Sequence, residues 1–295
     1  MIQLTGIFPP ITTPFDDSGT ILHSELESNL ELWNDQPLSG YVVGGSNGEF
    51  VSLSVDERVE VVRRVREMTP NSRLMIAGSG MHATAATISL TERLADVGAD
   101  AALVLTPSYY KSNMTTPALV AYYEQIAAAS SIPILLYNVP RNTGLDLPLD
   151  AVTILSEHEN ICGIKDSSGN VTKIGAMVGN TREDFQVLAG SAGFLLGALS
   201  VGAVGAVSAL ANIAGQELVS LITAFREGDL ETAKTLQIRL IEPNAAVTAR
   251  FGVPGLKAAL DMIGFYGGPA RLPLLPLSDA EKAELGDILA KANLI

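Results

Sequence analysis

The sequence predicts a (β/α)8 TIM barrel with a C-terminal helical extension. Three observations carry this expectation. Short apolar runs recur eight times at near-regular spacing along the 295 residues. Segments of helical period alternate with them. After the eighth run only helical patterns remain. Buried parallel strands read as unbroken apolar runs, because helices cover both faces of the sheet and the period-2 alternation is lost. Strand–helix alternation over about 250 residues suits a closed barrel. An open doubly wound sheet would alternate in the same way, so repetition alone leaves both architectures standing. The barrel is expected over residues 1–225 and the helical domain over 226–295.

The eight runs are Ile7–Thr12, Gly40–Val43, Leu74–Gly78, Ala101–Thr106, Ile134–Val139, Ile161–Asp166, Gln186–Gly190 and Gly205–Ala209. They end in small or polar residues, such as Gly78-Ser79-Gly80 or Lys165-Asp166-Ser167-Ser168. A helix is expected over Val55–Thr69, opened by Ser54 with Glu57 three residues on, the form of a capping box. Further helices are expected over Ala83–Val97, stopped by Gly98, and over Thr116–Ser130 and Asp150–Glu157. Beyond the eighth run, Gly215–Glu227, Asp229–Leu240, Gly252–Ile263 and Asp279–Asn293 all read as helices. One completes the barrel and three form the extension. Phe265–Leu277, rich in Gly and Pro, reads as a loop.

Composition removes several classes of function. Lys plus Arg is 19 and Asp plus Glu is 32, giving a net charge of −13. A nucleic-acid surface needs clustered basic residues, and an anionic membrane surface needs the same. Hydrophobic residues at 47% with charged residues at 17% indicate a folded core rather than disorder. The single cysteine, Cys162, forms no internal disulfide or cysteine metal cluster, which points to a reducing, cytoplasmic setting. The N-terminus shows no secretory pattern. Ala192–Ala214 is too rich in glycine to read as a membrane span.

Several motifs carry possible chemistry. Gly78-Ser-Gly80-Met-His-Ala83 fits a relaxed dinucleotide-binding turn, and a plain tight turn fits it better. Ala189-Gly-Ser191-Ala-Gly193 resembles a nucleophile elbow. His23, His82 and His158 all precede Ser191, whereas hydrolases of that type place histidine after serine. Those histidines also lack metal-ligand spacing, so no metal is expected. Lys165 ends an otherwise apolar strand. Burial disfavours the charged amine and favours the free one, which is what attack on a carbonyl requires. A lysine whose tip escapes to solvent explains the pattern equally well. Tyr137 ends the preceding strand, placing it beside Lys165 in a barrel, as a proton shuttle or as a core aromatic. Gly44-Gly-Ser-Asn-Gly-Glu49 is a glycine-rich turn whose exposed N–H groups suit a carboxylate. Tyr109-Tyr110 reads as a lid, a subunit contact or loop packing.

Together these segments resemble the pyruvate-dependent class I aldolase family that includes dihydrodipicolinate synthase and N-acetylneuraminate lyase. The matching pieces are Gly45-Ser46-Asn47-Gly48-Glu49, Thr106-Pro-Ser-Tyr109-Tyr110, Tyr137-Asn-Val-Pro140, Gly163-Ile-Lys165-Asp166 and Gly190, in the family's order and spacing. Within the family the likeness is strongest to 4-hydroxy-2-oxoglutarate aldolase, through Gly45–Phe50, Asn142–Pro148, Asp184–Phe194 and Ile241–Lys257. The resemblance implies a homotetramer and a small 2-oxo acid substrate. It implies a covalent Schiff base on Lys165 with no separate cofactor, and Tyr137 as proton relay. It further implies Ser46 and Asn47 on the pyruvate carboxylate, and Tyr109 from a neighbouring subunit linked through Ser46 to Tyr137. Gly190 and Val207 would line the pyruvyl end, and Ser167 the distal end.

Two departures bear on substrate. The family's lysine-pathway synthases carry Thr-Thr where this chain has Ser46-Asn47, and Gly-Arg where it has Arg141-Asn142. The expectation is therefore cleavage of 4-hydroxy-2-oxoglutarate to pyruvate and glyoxylate, with Arg141 and Asn142 at the distal end of the substrate. The alternatives are 4-hydroxy-tetrahydrodipicolinate synthesis from pyruvate and aspartate semialdehyde, and cleavage of a 2-oxo-3-deoxy sugar acid. A barrel that binds without turnover is the rival from another class.

Overall fold

The computed structural model describes residues 2–295. Eight strands form one parallel sheet: β1 (Gly6–Phe8), β2 (Gly40–Val43), β3 (Leu74–Gly78), β4 (Ala101–Leu105), β5 (Ile134–Asn138), β6 (Ile161–Asp166), β7 (Gln186–Ala189) and β8 (Gly205–Val207). The order is β1-β8-β7-β6-β5-β4-β3-β2. The remaining seam, between β1 and β2, is closed by a parallel bridge from Pro10 to Val42. There Val42 N–H donates to Pro9 O at 2.9 Å and Ile11 N–H donates to Val42 O at 3.0 Å. The first expected strand, Ile7–Thr12, is cut short for the same reason: Pro9 and Pro10 have no N–H for a ladder. The closed barrel, not the open sheet, is what the sequence builds.

A main helix follows each strand: α1 (His23–Asn34), α2 (Val55–Met68), α3 (Thr84–Asp96), α4 (Thr116–Ala129), α5 (Leu149–Ser156), α6 (Val171–Asn180), α7 (Leu195–Ser200) and α8 (Gly215–Arg226), with a single extra helical turn at Pro140–Thr143 between β5 and α5. The extension holds α9 (Leu230–Ala245), α10 (Gly252–Met262) and α11 (Asp279–Lys291). The Ser54–Glu57 capping box is present at α2. Helix α9 runs past its expected end at Leu240, with Pro243 inside it, into a π-helical turn at Ala246–Arg250. None of the described helices is long and apolar enough to cross a membrane.

Two apolar cores result. Inside the barrel lie Phe8, Val42, Ile76, Leu103, Leu135 and Leu188. Their outward neighbours, such as Ile7, Val43, Ala77, Val104, Leu136 and Val187, pack under the helices. Strand β6 breaks this alternation. Its pairing with β5 slips by one residue, so Cys162 is extra and Gly163 pairs with Leu135. Ile161 and Ile164 both face the helices, three apart rather than two or four. Lys165, next in line, therefore joins the inward-facing set. A β-bulge re-aims side chains in this way.

Candidate active site

The β5–β6 register places Tyr137 opposite Lys165 and Asn138 opposite Asp166. Lys165 and Tyr137 are 4% and 5% exposed. The Lys165 ammonium nitrogen stands 4.1 Å from the centre of the Tyr137 ring. Burial pushes the Tyr137 phenol up. The Lys165 charge and the polar contacts of Ser46, Lys165 and Ser167 outweigh burial and hold the phenol below its ordinary 10.0.

The strand ends are pinned by a polar cluster that sequence reasoning missed. Asn138 Nδ2 donates to Asp166 Oδ2 and to Asp146 Oδ1, each at 2.7 Å. Leu147 N–H donates to Asn138 Oδ1 at 2.9 Å. Ser168 N–H donates to Asp166 Oδ1 at 3.0 Å, and Lys173 pairs with Asp146. Thr106 Oγ1 donates to the Tyr137 carbonyl at 3.3 Å, so three strands fix the tyrosine. The signal was visible as polar residues directly after apolar runs, but a partner across strands cannot be read from one run.

Ser46 comes from the turn after β2. Ser46–Gly48 is a single 3₁₀ turn, and Glu49 ends it in the left-handed region at φ 56°. Glu49 N–H donates to Ser46 O at 3.2 Å. Thr13 Oγ1 donates to Gly48 O at 2.8 Å, tying the turn to the β1 side. The Ser46 and Tyr137 hydroxyls are 3.4 Å apart. At the end of β7, Gly190 N–H donates to Asp166 O at 2.7 Å. A Cβ at Gly190 would lie 1.9 Å from Ser167 Oγ, so only glycine fits beside that serine.

These residues share one cavity of about 390 Å³ at the carboxyl ends of the strands. Ser46, Asn47, Tyr137 and Lys165 line it, as do Ser167, Gly190 and Val207. Arg141 and Asn142 also line it. Arg141 Nη2 donates to Ala249 O at 2.8 Å, in the π-helical turn before α10. Sequence reasoning did not assign Val247, Thr248 and Val253 of the extension to this wall. A larger cleft of about 510 Å³ adjoins it at Ser46 and Asn142, but contains neither Lys165 nor Tyr137. Lys165 and Tyr137 lie together in the smaller cavity.

Tyr109 stands apart. It is 76% exposed on the loop after β4, with its ring edge against His82 and Tyr110. Within one chain it does not meet Ser46. The Gly78–Ala83 turn serves packing: a Cβ at Gly78 would lie 2.2 Å from Gly44 O, and one at Gly80 2.5 Å from Leu105 N. Among the described residues no group of three His, Cys, Asp or Glu is arranged to hold a metal.

Residues 3–292 match the dihydrodipicolinate synthetase family. The chain belongs to this family. A 4-hydroxy-tetrahydrodipicolinate synthase of Methanothrix thermoacetophila is 39% identical over 289 residues, 98% of this chain and 97% of that one. The crystal structure of a dihydrodipicolinate synthase from Bacillus anthracis superposes with TM-score 0.93 at 33% identity, covering 98% of this chain and 99% of that one. The Acinetobacter baumannii enzyme, solved with pyruvate, gives TM-score 0.94 at 31% identity, covering 99% and 100%. The protein is a pyruvate-dependent carbon–carbon lyase, and the family works through a Schiff base between lysine and pyruvate, without metal or cofactor. The expected special likeness to 4-hydroxy-2-oxoglutarate aldolase is not borne out, since these relatives carry the synthase name.

Proposed function

We propose that the protein condenses pyruvate with aspartate semialdehyde to form 4-hydroxy-tetrahydrodipicolinate, with Lys165 as the Schiff-base lysine. The observation that carries this reading is the buried Lys165 amine against Tyr137, in one cavity with Arg141. The similarity to named synthases supports the partner.

Lys165 gives a proton to the Tyr137 phenolate, and the freed amine attacks the pyruvate ketone; a C–N bond forms and, as Tyr137 returns the proton to the leaving hydroxyl, water leaves. The Ser46 and Asn47 N–H groups and the Ser46 hydroxyl receive the pyruvate carboxylate. The methyl carbon gives its proton to the Tyr137 phenolate, the protonated imine takes the electron pair, and an enamine results. Its carbon attacks the aldehyde, and the new alkoxide takes a proton through Tyr137. The amino group of the semialdehyde then displaces Lys165 from the imine carbon, closing the ring and freeing the enzyme. Arg141, Asn142 and Ser167 face the distal carboxylate.

One observation favours a second reading, cleavage of 4-hydroxy-2-oxoglutarate. Arg141 sits one position earlier than the arginine of the lysine-pathway synthases, and Ala249 O holds it. The same residues run the reverse chemistry on a shorter diacid.

The test compares turnover with pyruvate plus aspartate semialdehyde, with 4-hydroxy-2-oxoglutarate and with 2-oxo-3-deoxy sugar acids, using Lys165→Ala as control. The synthase reaction should run fastest and vanish in the variant. Faster cleavage of the diacid or a sugar acid overturns the partner and keeps Lys165. Failure of borohydride to trap pyruvate on Lys165 overturns the mechanism and favours a binding protein.

A further inference from the structure

Among the ion pairs of the described residues, one is withdrawn from water at both ends. Lys257 of α10 meets Glu49 at 2.8 Å, with the two side chains 1% and 0% exposed. Lys257 Nζ also donates to Pro269 O at 2.7 Å and lies 4.4 Å from the centre of the Phe15 ring. The second carboxylate oxygen of Glu49 accepts Arg271 N–H at 2.8 Å. Arg271 itself reaches Glu57 at 2.5 Å and Ser52 O at 2.8 Å. The extension thus grips the segment from Glu49 to Glu57 from within.

Glu49 is also the residue that ends the Ser46–Gly48 turn, and its backbone is left-handed. Glutamate takes this conformation at a cost that glycine avoids, and it persists where the surroundings enforce it. Burying a charge here is costly as well. Burial pushes the Lys257 ammonium below its ordinary 10.5, against the opposing pull of Glu49. Neither residue lines the reaction cavity. A position with both costs and no contact with substrate needs a reason, and the turn supplies it.

We propose that the Glu49–Lys257 pair is a positioning device through which the C-terminal extension holds the Ser46–Gly48 turn in its carboxylate-binding form. The proposal rests on the reading that this turn receives the pyruvate carboxylate. Glu49 and Lys257 then set pyruvate affinity without touching pyruvate.

The readout is the pyruvate concentration giving half-maximal borohydride trapping on Lys165, followed by intact mass, which needs no aldehyde partner. Two variants are compared with the wild type. Glu49→Gln keeps the shape and an acceptor for Arg271 N–H but strands the Lys257 charge. Glu49→Gln/Lys257→Met removes both buried charges, which is far cheaper than leaving one unpaired. Half-saturation should rise about tenfold in both, with the trapping plateau unchanged, as for a lost binding contact. Thermal stability should fall in the single variant and recover in the double, while affinity stays low. Affinity that recovers together with stability marks the pair as merely structural and overturns the proposal. So does unshifted half-saturation in whichever variant folds. No trapping by the wild type removes the functional reading itself, and this inference with it.

Discussion

Tyr137 is held between the Lys165 nitrogen and the Ser46 hydroxyl. The Lys165 charge 4.1 Å from its ring opposes burial and brings its ionisation below 10.0. Tyr122, buried without such a cation, is pushed up to about 12. A spectrophotometric titration should therefore show an early tyrosinate step below 10, missing in Tyr137→Phe. The lowered value favours the ionised form in the folded state. That stabilisation is full above the free-tyrosine value and is lost as pH falls through the lowered folded value. Unfolding at alkaline pH should thus separate wild type from Tyr137→Phe more than unfolding at neutral pH does. Arg141, which lines the same cavity, keeps only one hydrogen bond, to Ala249 O, among the described residues. Its other donors are free for a carboxylate. Arg141→Ala should raise KM for the carboxylated aldehyde about tenfold or more, since charge-assisted bonds are the strong ones. An unchanged KM removes Arg141 from the substrate.

At the scale of the element, β6 decides which way Lys165 points. Were all six residues of β6 to alternate regularly from Ile161, without the bulge, Lys165 would turn toward the helices. Gly163 makes the bulge possible: a Cβ there would lie 2.1 Å from Gln186 O on β7. Gly163→Ala must push β6 off β7, costing about 1–3 kcal/mol as an overpacked site. It should also lower kcat disproportionately, because the amine moves relative to Tyr137. Thermal unfolding and single-turnover trapping, measured together, check both halves. A stability loss with kcat intact means the bulge is not what aims the lysine. This is also where sequence reading stops. The bounds of β2, β3 and β6 are legible because each apolar run is punctuated by Gly or a polar residue. The bulge is not, because the obstacle that requires Gly163 sits on another strand. Helices α1, α6 and α7 are equally silent: α1 has no side-chain cap, α7 spans only Leu195–Ser200, and glycines interrupt α6 and α7. Asn138, Asp146 and Asp166 look like ordinary loop polarity until two strand ends meet.

The whole molecule leaves one piece of the site unfinished. Ser46 makes no side-chain hydrogen bond other than that with Tyr137 among the described residues, so a proton passed from Tyr137 to Ser46 has no onward hydroxyl in this chain. Meanwhile Tyr109 and Tyr110 are 76% and 69% exposed, and Val51, beside the larger cleft, is 80% exposed. Clustered exposed apolar surface of this kind marks an interface. Aromatic residues are enriched at such contacts. Both facts are met if two copies pair across this face and each lends Tyr109 to the other's Ser46, as the family resemblance implies. Sedimentation should then show an assembly, a homotetramer by that resemblance, rather than a 295-residue monomer. Two variants separate the roles of the ring and the hydroxyl. Tyr109→Phe keeps the packing surface, so it should stay assembled and lose about 10²-fold or more in kcat, the scale of a lost proton relay. Tyr109→Ala should dissociate and lose activity together. A monomeric wild type with full turnover would show that the proton leaves Ser46 through water, and that the tyrosines at this face serve something other than catalysis.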